Sequence, residues 1–306
     1  MQSDPTEDAK KLYNLIKGKN KDDNQLIKFV TSKTNEERLR IKDEYNSTMN
    51  SDLIKDLQSA YSFHFKDVLV GLFYSPLDYD CYHILKAVKG LGTDEDALIE
   101  ILATRTSEHI EQMKSRYKEM YPGRDMVDDI KDDTSGSFWE VLKALLENKR
   151  GTNTNPDLKE CEECAKKLIE SGTNKKTKVQ IYTEILTKKS KEEVAMIGKI
   201  YHKITQSNIL ADVQKFFSGD TKNAFVGIIY AILSQSEYFA KLVNNSVKGL
   251  GTRDTALIRI MITRDEIDMP QIKQFYRALF KKDMVEDIKD DTSGNYQKIL
   301  IELATH

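Results

Sequence analysis

Two short stretches decide the fold. Lys89-Gly-Leu-Gly-Thr93 recurs as Lys248-Gly-Leu-Gly-Thr252, 159 residues later. Asp129-Ile-Lys-Asp-Asp-Thr-Ser-Gly136 recurs as Asp287-Ile-Lys-Asp-Asp-Thr-Ser-Gly294, 158 residues later. The missing residue fits an insertion at Tyr121-Pro122-Gly123-Arg124, which faces the shorter Phe280-Lys281-Lys282. A fixed period of this kind is the mark of a repeat architecture. At half the offset weaker copies stand out: Glu170-Ser-Gly-Thr173 and Ile16-Lys-Gly-Lys-Asn20. The chain therefore reads as four units, with units two and four sharp and units one and three degraded.

The units read as helical. Ala97, Leu98, Ile101 and Leu102 follow Thr93 at helical spacing, as Ala256, Leu257, Ile260 and Met261 follow Thr252. Thr93 with Asp96 resembles a capping box, with Asp in place of Glu or Gln. A second helix is expected over about 107–120, stopped by Pro122-Gly123, and another carries Phe138, Val141, Leu142 and Leu145. Gly151-Thr-Asn-Thr-Asn-Pro-Asp157 is the clearest linker and is expected to divide the molecule into halves.

Composition limits the alternatives. Hydrophobic residues at 39% suffice for a core, and charged residues at 31% are too many for a membrane-spanning class. No uncharged apolar run reaches the roughly 18 residues of a spanning helix. The polar start, Met1–Lys10, is unlike a secretory signal. The net charge of −2 gives no reason to propose nucleic acid, and it weakens a purely electrostatic route to an anionic membrane. Three cysteines, an odd and low count, favour a reducing, cytoplasmic setting.

Gly90 and Gly92 let the backbone take positive φ and turn carbonyl oxygens outward. Calcium wants six to eight oxygens and accepts carbonyls, but a carboxylate is needed as well. Asp133 lies 41 residues after Gly92, and Asp291 lies 40 after Gly251. A lone Gly-x-Gly would be only a helix end. Two loops with two matched acids point to calcium.

These motifs resemble the annexin calcium site, and the resemblance spans essentially the whole chain. It implies an all-α fold of four repeats of about five helices each, arranged as a curved disc. The repeats would cover 1–75, 76–150, 158–233 and 234–306, with 151–157 as linker. The resemblance implies that calcium is held by the carbonyls of Val88, Gly90 and Gly92 with both oxygens of Asp133. In repeat four the carbonyls of Val247, Gly249 and Gly251 would act with Asp291. Thr93 and Glu95 are candidates for an auxiliary site. Lys89, Leu91, Lys248 and Leu250 are the candidate lipid contacts. The implied function is calcium-dependent binding of anionic phospholipid membranes at their cytoplasmic face. A divergent member of the alpha-giardin kind, serving the cytoskeleton, is the alternative.

Units one and three depart from the pattern. Asn20 replaces the second glycine of unit one, and its distal position reads Ala60. Glu170 replaces the first glycine of unit three, and Phe216 stands at its distal position. Asp22 and Asp220 lie nearby, out of register. Cys161-Glu-Glu-Cys164 lacks the partners of a zinc site and the preceding strand of a redox motif. The five histidines are scattered, and no nucleophile or phosphate-loop motif is present, so no catalytic residue and no enzyme activity is expected.

Overall fold

The computed structural model describes residues 4–19, 21–147, 149–249 and 251–305. Among these residues all regular structure is α-helical, in four sets of five. The first set is α1 (Pro5–Lys17), α2 (Asp23–Thr31), α3 (Asn35–Thr48), α4 (Leu53–Ala60) and α5 (Phe63–Leu72). The second is α6 (Pro76–Val88), α7 (Glu95–Thr104), α8 (Ser107–Met120), α9 (Met126–Asp133) and α10 (Gly136–Glu147). The third is α11 (Leu158–Ile169), α12 (Lys175–Lys188), α13 (Lys191–Thr205), α14 (Ile209–Phe216) and α15 (Gly219–Leu233). The fourth is α16 (Gln235–Val247), α17 (Asp254–Arg264), α18 (Met269–Phe280), α19 (Met284–Asp291) and α20 (Gly294–Thr305). Among the described residues no helix is long and apolar enough to cross a membrane.

Each set repeats one buried hydrogen bond. Tyr45 donates to Asp56 at 2.8 Å, Tyr117 to Asp129 at 2.7 Å and Tyr276 to Asp287 at 2.6 Å, and Tyr201 donates to Asp212. All four tyrosines are buried. A hydrogen bond to a carboxylate contributes about 1.5–3 kcal/mol. Burial first, then the partner carboxylate, pushes each of these phenols well above its ordinary pKa. This bond ties the third helix of each set to the fourth. It is as intact in sets one and three as in the sets with sharp glycine loops.

The chain forms two compact units, residues 1–79 with 236–306, and residues 80–235. In the first, α2 and α5 pack on α20, and α5 packs on α17. Leu26, Leu69, Leu257, Ile260 and Leu300 are fully buried between them. The α5–α17 approach is close at Gly71, where an added Cβ would lie 2.6 Å from Ile262 Cδ1. In the second unit α7 packs on α15, α10 on α12 and α15, and α11 on α13.

The segment 151–157 does not divide the molecule into halves. It lies inside the second unit. Arg150 donates to the carbonyls of Leu186 and Lys189, and Gly151 N–H donates to that of Lys188. The orphan carbonyls at the end of α12 are thus satisfied by the residues that open the segment. Its Pro and Asn content signals irregular backbone, and irregular backbone tied down by its neighbours is not a domain boundary.

Candidate calcium loops

The second-set loop runs from the end of α6 to the start of α7. Asp94 N–H closes it by donating to Ala87 O at 2.9 Å. Gly90 has φ +125° and Gly92 φ +86°, and open space lies where a Cβ would project from either. The fourth-set loop repeats this. Arg253 N–H donates to Ser246 O at 2.9 Å, and Gly249 and Gly251 have φ +123° and +90°. Val88 and Val247 are the last residues of α6 and α16. Carbonyls at a helix end lack in-helix partners and carry the negative end of the helix dipole. Lys89 and Lys248 are exposed, and Leu91 is fully exposed at 108%. Leu250 and Asn20 lie outside the described residues.

The distal acids arrive from the ends of α9 and α19. Thr93 Oγ1 donates to Asp133, 2.6 Å from Oδ2 and 3.0 Å from the main-chain oxygen. Thr252 Oγ1 does the same to Asp291, at 2.6 and 3.1 Å. The fold therefore joins each glycine loop to the acid some 40 residues on. Asp132 and Asp290, the preceding acids, are exposed. The expected capping box at Thr93 is absent, because Asp94 is the cap of α7 and accepts from Ala97 N–H at 3.0 Å. Thr93 is thereby left to orient Asp133. Glu95 opens α7 and is half-buried.

Among the described residues no three His, Cys, Asp or Glu side chains converge. A cation at either loop would be held by main-chain oxygens and one carboxylate. An all-oxygen set of low charge fits calcium, and it does not suit ions that prefer nitrogen or sulfur. The fourth-set loop borders a hollow lined by Asn244, Val247, Lys248, Gly249, Asp290 and Asp291.

Sets one and three are built differently. Gly18 has φ −65°, so the first-set loop does not take the left-handed path of Gly90. Asp22 is not a spare ligand, since its carboxylate caps α2 by accepting from Asn24 and Gln25 N–H. In the third set Gly172 keeps φ +67°, but Glu170 does not, at φ −83°. Lys178 donates to Ser171 Oγ at 3.0 Å, and its ammonium lies 4.1 Å from the centre of the Phe216 ring. Asp220 is exposed at the start of α15. Lys178 escaped the sequence reading. The signal was a lysine in the place of Leu26, Leu98 and Leu257, all fully buried.

Cys161 and Cys164 are free, buried thiols on α11, and burial pushes both above the ordinary thiol pKa. Such thiols are poor nucleophiles and poor ligands.

Comparison with known proteins identifies the family. The family profile described as Annexin matches residues 7–72, 79–145 and 238–303. The region holding Glu170, Lys178 and Phe216 falls outside the match. Annexin A11 of Oryctolagus cuniculus is 33% identical over 301 residues, 98% of this chain and 60% of its own length. This chain thus spans about 60% of that relative. Annexin A4 of Homo sapiens is 36% identical over 298 residues, 97% of this chain and 93% of its own. A solved structure of annexin III covers 100% of this chain with 95% of its own, at 30% identity and a TM-score of 0.94. Calcium-bound alpha-14 giardin covers 98% of this chain with 99% of its own, at 19% identity and a TM-score of 0.86, a likeness of fold alone. The chain belongs to the annexin family. Annexins are in general calcium-dependent phospholipid-binding proteins without enzymatic activity.

Proposed function

We propose that this chain binds anionic phospholipid membranes through calcium at two loops, 88–93 with Asp133 and 247–252 with Asp291. The observation that carries this reading is the twin threonine–aspartate contact across each loop. It supports a carboxylate brought to a carbonyl-rich turn twice, in matching geometry.

The carbonyls of Val88, Gly90 and Gly92 and the Asp133 carboxylate would hold the ion in the second repeat. Those of Val247, Gly249 and Gly251 with Asp291 would do so in the fourth. The bound calcium supplies local positive charge and open coordination positions for a lipid phosphate oxygen. The chain itself has a net charge of −2, so without that charge it has little attraction for an anionic surface. Lys89 and Lys248 add fixed charge beside the headgroups. Leu91, an exposed apolar side chain at a loop tip, fits contact with the acyl boundary. The three free, buried cysteines fit a reducing setting, and we place this binding at the cytoplasmic face of membranes.

The test is sedimentation with phosphatidylserine-containing vesicles, with calcium and then with chelator. Binding that appears with calcium and reverses with chelator supports the reading. Equal pelleting under both conditions refutes it.

A further inference from the structure

The residue that opens the fifth helix of each set lies in the left-handed region. Gly136, Gly219 and Gly294 have φ +58°, +57° and +64°. In the first set the same position is Phe63, with φ +51°. A side chain with a Cβ is strained there, and glycine is not. Burial of the ring would offset such strain, but Phe63 is 81% exposed, the most exposed aromatic among the described residues. A strained backbone conformation that presents an apolar ring to solvent has no rationale in the stability of the fold.

The neighbours of Phe63 show at which edge of the unit it lies. The next residue, His64, has Nε2 3.2 Å from Asp254 Oδ2, and its ring lies 5.3 Å from that of Tyr296. Asp254 opens α17, two residues beyond Thr252, whose hydroxyl holds Asp291. Phe63 therefore stands beside the fourth-repeat loop within one compact unit. Asp23 at the start of α2 accepts from Asn295 at 2.6 Å, which brings the first-repeat loop to the same edge. That loop carries the exposed Lys19 and Lys21. The edge thus combines two exposed lysines and an exposed ring with a loop read above as a lipid-binding calcium loop.

We infer that Phe63 is a membrane anchor, whose ring enters the interfacial region of the anionic bilayer engaged by the fourth-repeat loop. This rests on the membrane reading above. The first repeat has Ala60 where an acid would be needed, and it contributes an apolar and basic contact instead of an ion site. An aromatic ring at headgroup depth removes apolar surface from water, and Lys19 and Lys21 complement the lipid charge.

The experiment compares wild type with Phe63→Gly on phosphatidylserine and phosphatidylcholine vesicles at saturating calcium. The lipid concentration for half-binding is expected to rise about tenfold, the factor to which 1.4 kcal/mol corresponds. Thermal stability is expected to stay equal or rise, because glycine relieves the strain at φ +51°. A strictly structural phenylalanine gives the opposite pattern, a lower melting temperature with unchanged lipid binding, and that overturns the inference. So does a change of oligomeric state with unchanged vesicle binding, which would make the ring a contact between copies. A second variant, Phe63→Trp on a Trp139→Phe background, is expected to shift its emission to the blue when vesicles and calcium are both present, and no shift overturns the inference. If wild type pellets with calcium and Phe63→Gly pellets equally well, only the anchor fails. If wild type does not pellet at all, the membrane reading fails and the anchor with it.

Discussion

Thr93 holds the carboxylate of Asp133 at 2.6 Å across 40 residues of chain, with its hydroxyl as donor. The hydroxyl fixes the orientation of the acid, and a ligand held in place by its neighbours lowers the ordering cost of binding. Replacing Thr93 with Val keeps the shape and removes the donor. Loss of a group that orients a metal ligand costs about 10- to 100-fold in affinity. We expect the calcium concentration for half-maximal vesicle binding to rise about tenfold in Thr93→Val. An unchanged calcium midpoint would show that the hydroxyl does not position the acid.

Asp133 and Asp291 end their helices and contribute little to the core, being half-exposed. Asp133→Ala and Asp291→Ala are each expected to weaken membrane binding, and the pair together to nearly abolish it. Circular dichroism should change little, since the helices pack through Met126, Ile130, Met284 and Ile288. A large helical loss in either variant would assign the residue to the fold.

Each loop has a single carboxylate, and low ligand charge places a calcium site toward about 10⁻⁴–10⁻³ M. Calorimetry without lipid is expected to find binding in that range. Vesicles that complete the coordination must tighten calcium binding by the factor with which calcium tightens lipid binding. Submicromolar binding with no lipid present would contradict a one-acid site.

Much of this was legible in sequence because the repeated motifs sit where the backbone is most constrained. Gly90, Gly92, Gly249 and Gly251 take φ values that favour glycine, so their spacing signals the loop directly. Helix 107–120 was legible from its periodicity and its Pro-Gly stop. The role of Thr93 was not, because capping and cross-loop hydrogen bonding place the same demand on a threonine, and only the fold brings Asp133 within reach. The segment 151–157 misled because its composition does not reveal that Arg150 and Gly151 tie it to α12. The four Tyr–Asp pairs went unread because tyrosine and aspartate are common, and their pairing across α3–α4 and its counterparts is a tertiary fact.

The second unit carries a buried ionic cluster unrelated to the loops. Asp80 accepts from Arg105 Nε at 2.7 Å and Nη2 at 2.8 Å, and lies 2.8 Å from His109 Nε2. Burial alone would raise the Asp80 pKa, but the Arg105 guanidinium and the His109 contact outweigh it and hold the carboxyl well below its ordinary range. A carboxylate with a depressed folded pKa adds stability above its unfolded pKa of about 3.9, and that stability is lost as pH falls through the folded value. Asp80→Asn is expected to cost about 1–3 kcal/mol at pH 7, because it removes the buried negative charge that Arg105 and His109 face. The gap between variant and wild type should narrow as pH falls below about 4. Denaturant melts at pH 7 and pH 3 measure this, and equal stability at pH 7 would remove Asp80 from the list of residues that hold the unit together.

The third repeat is expected to take no calcium, and Lys178 and Phe216 are together the reason. In the other repeats this helix position is a fully buried leucine, at Leu26, Leu98 and Leu257. Lys178 is nearly as buried, at 9% exposure, and burial lowers its pKa despite the Asp212 charge. Its ammonium bonds the loop hydroxyl of Ser171 and rests on Phe216, the residue at the place of Asp133 and Asp291. A divalent cation entering this loop would meet a like charge and an apolar ring where the other repeats offer a carboxylate. A calcium-loaded crystal should therefore show ions in loops 88–93 and 247–252 and none beside Gly172. Replacing Lys178 with Leu removes a desolvated charge and adds buried apolar surface, at the loss of one hydrogen bond and the cation–π contacts with Phe216 and Tyr182. These terms are each about 1–3 kcal/mol and largely offset. We expect Lys178→Leu to melt within about 2–4 °C of wild type, and still to bind no third ion, because Phe216 supplies no oxygen. An anomalous calcium peak in the third loop of wild type would sink this account. A severe loss of stability in Lys178→Leu would show instead that the ammonium is an anchor of the fold.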